Sequence, residues 1–277
     1  MINRRTKILI PGDFERTFFT PAQTYYIRSI AGACHAHIRL IHLSSTHDYF
    51  QGDNPYAFLR SYQSTHSAVE RNTQRLSAQL KKQGLEVDYV ITGYGNQMKE
   101  LLDQIILFSP DFVILRKKRG LAPDHHKLLS KIPVLCIPES PPQCLPSRLA
   151  LLETDTEPAD MKKLDFFFRL TRNLTGSLVI LDRKHKPGMQ INGDRVMHAN
   201  NINRQYGINI ETVTRFNHTG PRKNNANHQM DEADLPFVLW KNKSTVTRLL
   251  GDQGLRKLLR TTEKPFFIYS PETRSGK

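Results

Sequence analysis

Lys7–Pro11 reads KILIP and runs into Gly12-Asp13-Phe14-Glu15, while Arg148–Leu152 reads RLALL and runs into Glu153-Thr154-Asp155. Each is a short apolar run followed at once by turn-forming and acidic residues, the pattern of a buried strand leaving its sheet for a loop. The same pattern occurs twice, half a chain apart, and that recurrence decides how the rest is read.

Outward from the first copy, Thr20-Pro21 predicts a helix cap with proline at the first helical position, followed by Tyr26, Ile27, Ile30, Ala31 and Cys34 at helical spacing. Ile38–Leu43 (IRLIHL) is a second strand. A long helix is expected from about Tyr56 to Gln83, with Phe58, Tyr62, Val69, Leu76 and Leu80 on one face and Gly84 as its stop. Glu86–Ile91 (EVDYVI) makes a third strand, Met98, Leu101, Leu102, Ile105 and Ile106 a further helix, Phe112–Leu115 a fourth strand and Val134–Ile137 a fifth. Strands alternating with helices imply βαβ units, a parallel sheet and right-handed crossovers.

Residues 138–146 hold four prolines, a stiff linker by composition. Beyond it the order repeats. Met161, Leu164, Phe167 or Phe168 and Leu174 carry helical spacing, Ser177–Leu181 (SLVIL) parallels IRLIHL, and a helix around Met189–Tyr206 precedes Gly207 and the strand Ile208–Val213. Pro236–Trp240 (PFVLW) parallels the PDFVIL stretch, and Lys264–Tyr269 (KPFFIY) parallels Ile132–Ile137 (IPVLCI). Residues 214–235, Asn-rich and basic, leave two readings open, a degenerate helix or a loop. The expected division is residues 1–140, a linker at 141–147, and residues 148–277.

The 277-residue length suits two ordinary domains, and 38% hydrophobic residues suffice for a core in each. No stretch approaches the roughly 18 apolar residues of a membrane span, and the basic start lacks the apolar region of about 7–15 residues that a secretory signal needs. Three cysteines, Cys34, Cys136 and Cys144, argue against a disulfide framework and for a reducing cytoplasm. A net charge of +14 favours polyanions in general, so nucleic acid and anionic membrane surfaces stand as candidate partners, although the Lys and Arg residues are scattered.

Laid out this way, the chain resembles the universal stress protein family in its tandem, bacterial form. The segments that carry the resemblance are KILIPGDFE with Asp13 after the first strand, IRLIHL, SPDFVIL and KIPVLCIP, and in the second half ADLPFVLW and LLGDQGLRKLLRTTEKPFFIY. The resemblance implies an α/β fold of two tandem Rossmann-like (adenine nucleotide alpha hydrolase-like) five-stranded parallel sheets with flanking helices, packed as an internal pseudo-dimer. It further implies that the strands Val134–Ile137 and Phe266–Tyr269 pair with each other within the chain. The role it implies is a cytoplasmic stress-response or regulatory protein, not an enzyme, acting through protein partners or a small ligand, with further homo-oligomers open.

Many members of that family bind ATP through an acidic residue after the first strand and a loop of the form G-2x-G-9x-G-[ST] after the fourth. Glycines there let backbone N–H groups approach phosphate, and a helix N-terminus favours the charge. Here Arg116–Ile132 spans 17 residues with Gly120 as its one glycine. In the second half, KNKSTVTRLLGDQG keeps Gly251 but has Asp252 where the family has Ser or Thr, and Asp124 stands before the short first-half helix. A carboxylate suits a helix cap and repels phosphate. No bound cofactor is therefore expected.

The alternative is ATP or AMP held in the first half by Asp13 with Lys117, Lys118 and Arg119, side chains standing in for the missing glycine loop at the edge where open α/β sheets bind ligands. Asp155 is the second-half counterpart of Asp13. His35-x-His37 and His125-His126 lack the cysteines or carboxylate cluster of a metal site and read as structural or surface residues. No G-x-S-x-G elbow, Walker lysine loop, H-E-x-x-H motif or catalytic carboxylate pair occurs.

Overall fold

A computed structural model describes residues 5–14, 19–43, 55–92, 96–116, 125–153, 164–182, 193–215, 233–239 and 263–269. They fall into two compact units, Met1–Leu115 and Arg116–Lys277.

The first unit is built on β1 (Lys7–Gly12), α1 (Pro21–Ala33), β2 (His37–His42), α2 (Pro55–Lys81), β3 (Glu86–Ile91), α3 (Gln97–Phe108) and β4, which starts at Phe112. Its strands lie in the order β3-β2-β1-β4. All pair in parallel, with Lys7 level with His37 and His37 level with Glu86, and with Ile8 level with Phe112. Ile8, Leu9, Ile10, Ile38, Leu40 and Phe112 are fully buried, so the sheet is covered on both faces, as the near-continuous apolar runs require.

Local chemistry sets the helix ends. Thr20 and Gln23 form a reciprocal capping box at α1, each side chain bonding the other's backbone N–H, with Pro21 in the first turn. Asn96 caps α3 by accepting from the Met98 and Lys99 amides. Gly84, at φ +82°, turns the chain out of α2 towards β3, and Gly207, at φ +65°, turns it out of the corresponding helix of the second unit. The repeat thus extends to the one residue type that takes this backbone without strain.

The second unit holds α4 (His125–Lys131), β5 (Val134–Ile137), β6 (Leu149–Glu153), α5 (Asp165–Leu174), β7 (Ser177–Asp182), α6 (Gly193–Tyr206), β8 (Asn209–Arg215), β9 (Leu235–Leu239) and β10 (Phe266–Tyr269). The order β8-β7-β6-β9-β10 repeats the first unit's third-second-first-fourth arrangement. β5 then joins β10 antiparallel, with Cys136 level with Phe266 and Val134 level with Ile268. The expected in-chain pairing of the two closing strands is therefore present, and the α/β reading with parallel pairing in both halves is borne out. The division between the compact units falls after Leu115, before α4 and β5.

Most strand boundaries differ from the sequence reading by a residue or two. β9 starts one residue earlier than expected, at Leu235, and β8 runs on to Arg215. Residues 216–232, where a helix and a loop were both open, lie outside the described residues.

The second core is aromatic. Phe167 and Phe237 have ring centroids 4.7 Å apart, and Phe237 stacks on Phe267 at 5.6 Å and 17°. Phe166 and Phe168 flank them, and all five rings are at most 4% exposed. Tyr206 of α6 donates to Asp165 at the start of α5 (2.9 Å), and burial together with that bond pushes its hydroxyl up to about 12.

Candidate functional site

In the first unit, the chain steps from β1 to β2 on one side and from β3 to β4 on the other, so the strand order reverses between β1 and β4. Open α/β sheets take ligands outside the carboxyl ends of the strands at such a reversal. Gly12 ends β1 there, and Asp13 and Phe14 are the first residues off the sheet.

Asp13 is exposed and Phe14 is 1% exposed. The Phe14 ring lies over Gly12, so close that a Cβ on that glycine would stand 3.2 Å from the ring's Cε1 and Cζ. A larger residue at position 12 would press the ring aside by a few tenths of an ångström. The Phe14 amide N–H donates to His42 Nδ1 at 3.1 Å, and Asn72 Nδ2, on α2, donates to the Phe14 carbonyl at 3.0 Å. His42 is itself tied down: its carbonyl accepts from both the N–H and the hydroxyl of Thr92 (3.1 and 2.9 Å). Burial holds the His42 imidazole below its ordinary range; the Asp13 charge opposes this and His66 reinforces it.

Of the proposed ligand residues, the structure describes Asp13 at this edge. Lys117, Lys118 and Arg119, which follow Arg116, the last residue of β4, lie outside the described residues. So do Asp155, Asp124, Gly251 and Asp252. His37 is half-buried on β2, its Nε2 3.2 Å from Asp88 and its ring edge-on to Phe108 at 5.2 Å. His35 sits just past α1 with φ +48°. Among the described residues, no group of three or more His, Cys, Asp or Glu could hold a metal ion. Cys34 and Cys136 are buried and Cys144 is exposed.

Sequence reading missed three groups. The first is the His42–Phe14–Asn72 arrangement just described. The second is a charged lattice on β2 and β3. Arg39 grips Asp88 through two bonds (2.8 and 2.7 Å) and lies 4.3 Å from the Phe108 ring centroid, and Arg5 pairs with Glu86. Burial pushes the Asp88 carboxyl up, but the bonds and charge of Arg39, helped by His37, outweigh it and leave it below its usual range.

The third is a brace that occurs in both units. Asp111 accepts from the Lys7 amide (2.8 Å), while Asp234 accepts from the Ser147 amide (2.9 Å), the Ser147 hydroxyl (2.6 Å) and the Arg148 amide (3.1 Å). Asp111 sits just before β4 and ties it to the start of β1, and Asp234 sits just before β9 and ties it to the start of β6. The signal was present as the aspartates of SPDFVIL and ADLPFVLW, two of the segments that carried the family resemblance.

No family model matches the chain, and no curated protein matches it. Solved structures do. A universal stress protein from Archaeoglobus fulgidus is 14% identical, with a TM-score of 0.72, over 97% of this chain and 99% of that one. A protein of unknown function from Pseudomonas aeruginosa is 15% identical, with a TM-score of 0.56, over 98% of this chain and 94% of that one. The cytoplasmic domain of a prokaryotic cation chloride cotransporter is 14% identical, with a TM-score of 0.50, over 95% of each. At such identities the likeness is one of fold, and the family resemblance read from the segments is borne out at that level: over nearly its whole length, this chain has the fold of a universal stress protein.

Proposed function

We propose that this chain is a cytoplasmic stress-response or regulatory protein of the universal stress protein kind, acting through a protein partner or a small ligand and not by catalysis. We further propose that it works without ATP. The observation that carries this second part is Phe14. The edge at which a nucleotide would enter the first unit is lined by an aromatic side chain turned inward over Gly12 and held at both of its backbone polar groups. The glycine-poor segments after the fourth strand of each half point the same way. No helix among the described residues is long and apolar enough to cross a membrane.

Thermal unfolding with and without millimolar ATP or AMP tests the reading. A ligand at ten times its dissociation constant stabilises its protein by about 1.4 kcal/mol, a rise of roughly 3–6 °C for units of this size. The expected shift is below about 1 °C, and a rise in the full range would overturn the proposal.

A second reading is favoured by topology. Parallel pairing of β1 with β4 brings the carboxyl ends of both strands to one edge, with Asp13 following the first and Lys117–Arg119 following the second in sequence. On that reading, AMP or ATP binds through Asp13 and these cations. Removing the charge of Lys117, Lys118 and Arg119 together is then expected to abolish nucleotide binding measured by calorimetry. Binding that survives the triple change excludes these residues.

A further inference from the structure

We propose that Gly12, Phe14, Asn72 and His42 form an acid-released latch: with the His42 ring neutral, the chain leaving β1 is pinned to the sheet's carboxyl edge, and protonation of the ring removes that bond and loosens the chain there. The inference rests on geometry and is independent of what, if anything, binds there.

The bond that matters runs from the Phe14 amide to His42 Nδ1, at 3.1 Å between groups 28 residues apart. A backbone N–H can only donate, so Nδ1 must accept, and the neutral ring must carry its proton on Nε2. A protonated imidazole has N–H on both nitrogens and no acceptor. Two donors then face each other at a position where His42 is 5% and Phe14 1% exposed, away from the water that would otherwise satisfy them. A buried donor without an acceptor is costly, and the least-tethered partner moves. His42 is the more firmly held, through β2's pairing on both sides and the two bonds from Thr92. Phe14 has left the sheet, and it is held there by its buried ring and by the Asn72 bond to its carbonyl, not by strand pairing. Glycine at position 12 lets the ring seat itself, since a Cβ there would meet it at 3.2 Å.

The groups that act on the ring are few among the described residues. Burial keeps it neutral, Asp13 at the end of β1 draws a proton towards it, and His66 on α2 opposes one. Thr92 after β3 and Asn72 on α2 carry no charge. The sign follows. The folded ring binds its proton less readily than the unfolded one, so the latch holds above the ordinary histidine range and opens as pH falls below it.

Amide hydrogen exchange by NMR on the full chain tests this, with Phe14 referenced to Ile8, Leu9 and Ile10 of the strand that precedes it. Between about pH 7.5 and pH 5, Phe14 is expected to lose protection relative to those three by about three- to tenfold, the size of one net hydrogen bond. The ring nitrogen shifts of His42 are expected to report the Nε2–H tautomer at the upper pH. His42→Gln, whose side-chain oxygen accepts without titrating, is expected to keep Phe14 equally protected at both. A flat wild-type profile, an Nδ1–H tautomer, or the same pH dependence in His42→Gln would each overturn the latch, and the first two are read on unmodified protein.

Discussion

Phe167→Ala is expected to destabilise the second unit by about 3–5 kcal/mol, lowering its unfolding temperature by roughly 6–20 °C. Phe167 is fully buried and touches the other four rings of its cluster or their immediate neighbours, with Phe237 at 4.7 Å and Phe267 at 5.9 Å. Phe237 and Phe267 belong to β9 and β10, and Phe167 to α5, so the ring nails one helix onto two strands that the chain separates widely. Truncation removes its transfer free energy and leaves a cavity that rigid stacked rings cannot collapse into. Phe167→Leu keeps most of the volume and is expected to cost under about 1.5 kcal/mol. Trp240, the chain's single tryptophan, lies within the second unit's span and supplies the fluorescence readout. Equal losses for Ala and Leu would show that the site does not depend on filled volume.

Asp234→Ala is expected to cost about 1–3 kcal/mol at neutral pH, because one carboxylate oxygen accepts three bonds and two backbone amides lose their partner. The half-exposed setting keeps the figure at the modest end of what three charge-assisted bonds suggest. Its pH dependence follows from the direction of the shift. Burial pushes the Asp234 carboxyl up, but the bonds from Ser147 and Arg148 and the charge of Lys264 outweigh it, leaving the group below its usual range. The unfolded chain therefore binds the proton more readily than the folded one. The stabilisation is fully present above the ordinary carboxylate pKa of about 4 and is lost as pH falls through the lower folded value. Urea midpoints of wild type and Asp234→Asn should accordingly converge below about pH 4. A gap that stays constant into acid would mean that the side chain acts by shape and not by charge. Asp88, also held below its usual range, keeps the wild type acid-sensitive in either case.

The strands and helices were legible because each is announced locally. Ile8, Leu9 and Ile10 form a buried run ending in Gly-Asp, Thr20-Pro21 opens a helix, and Gly84 and Gly207 close two more at equivalent points. A period of two or 3.6 residues needs only near neighbours to express itself. Duplication made the reading firmer, since RLALL and PFVLW had to fit the same frame as KILIP and DFVIL. The candidate edge was legible to the same extent: Asp13 follows a strand, and a strand's carboxyl end is where such sheets bind.

The bonds that shape that edge were not. Phe14 looks in sequence like one more loop residue, and His42 like one more residue of the strand IRLIHL. What joins them is the parallel register of β1 with β2, which sets Gly12 level with His42. The brace from Asp111 to Lys7 spans 104 residues and that from Asp234 to Ser147 spans 87, distances over which no periodicity carries information. The antiparallel seam of Val134–Ile137 on Phe266–Tyr269 was reached through family likeness, not through its own residues. The sequence by itself thus determined the elements, their order and their repetition, because those depend on side chains a turn or a pleat apart. Only the tertiary structure decided which polar groups meet, because a hydrogen bond is made or lost within an ångström, and that placement is set by the packing of the whole sheet.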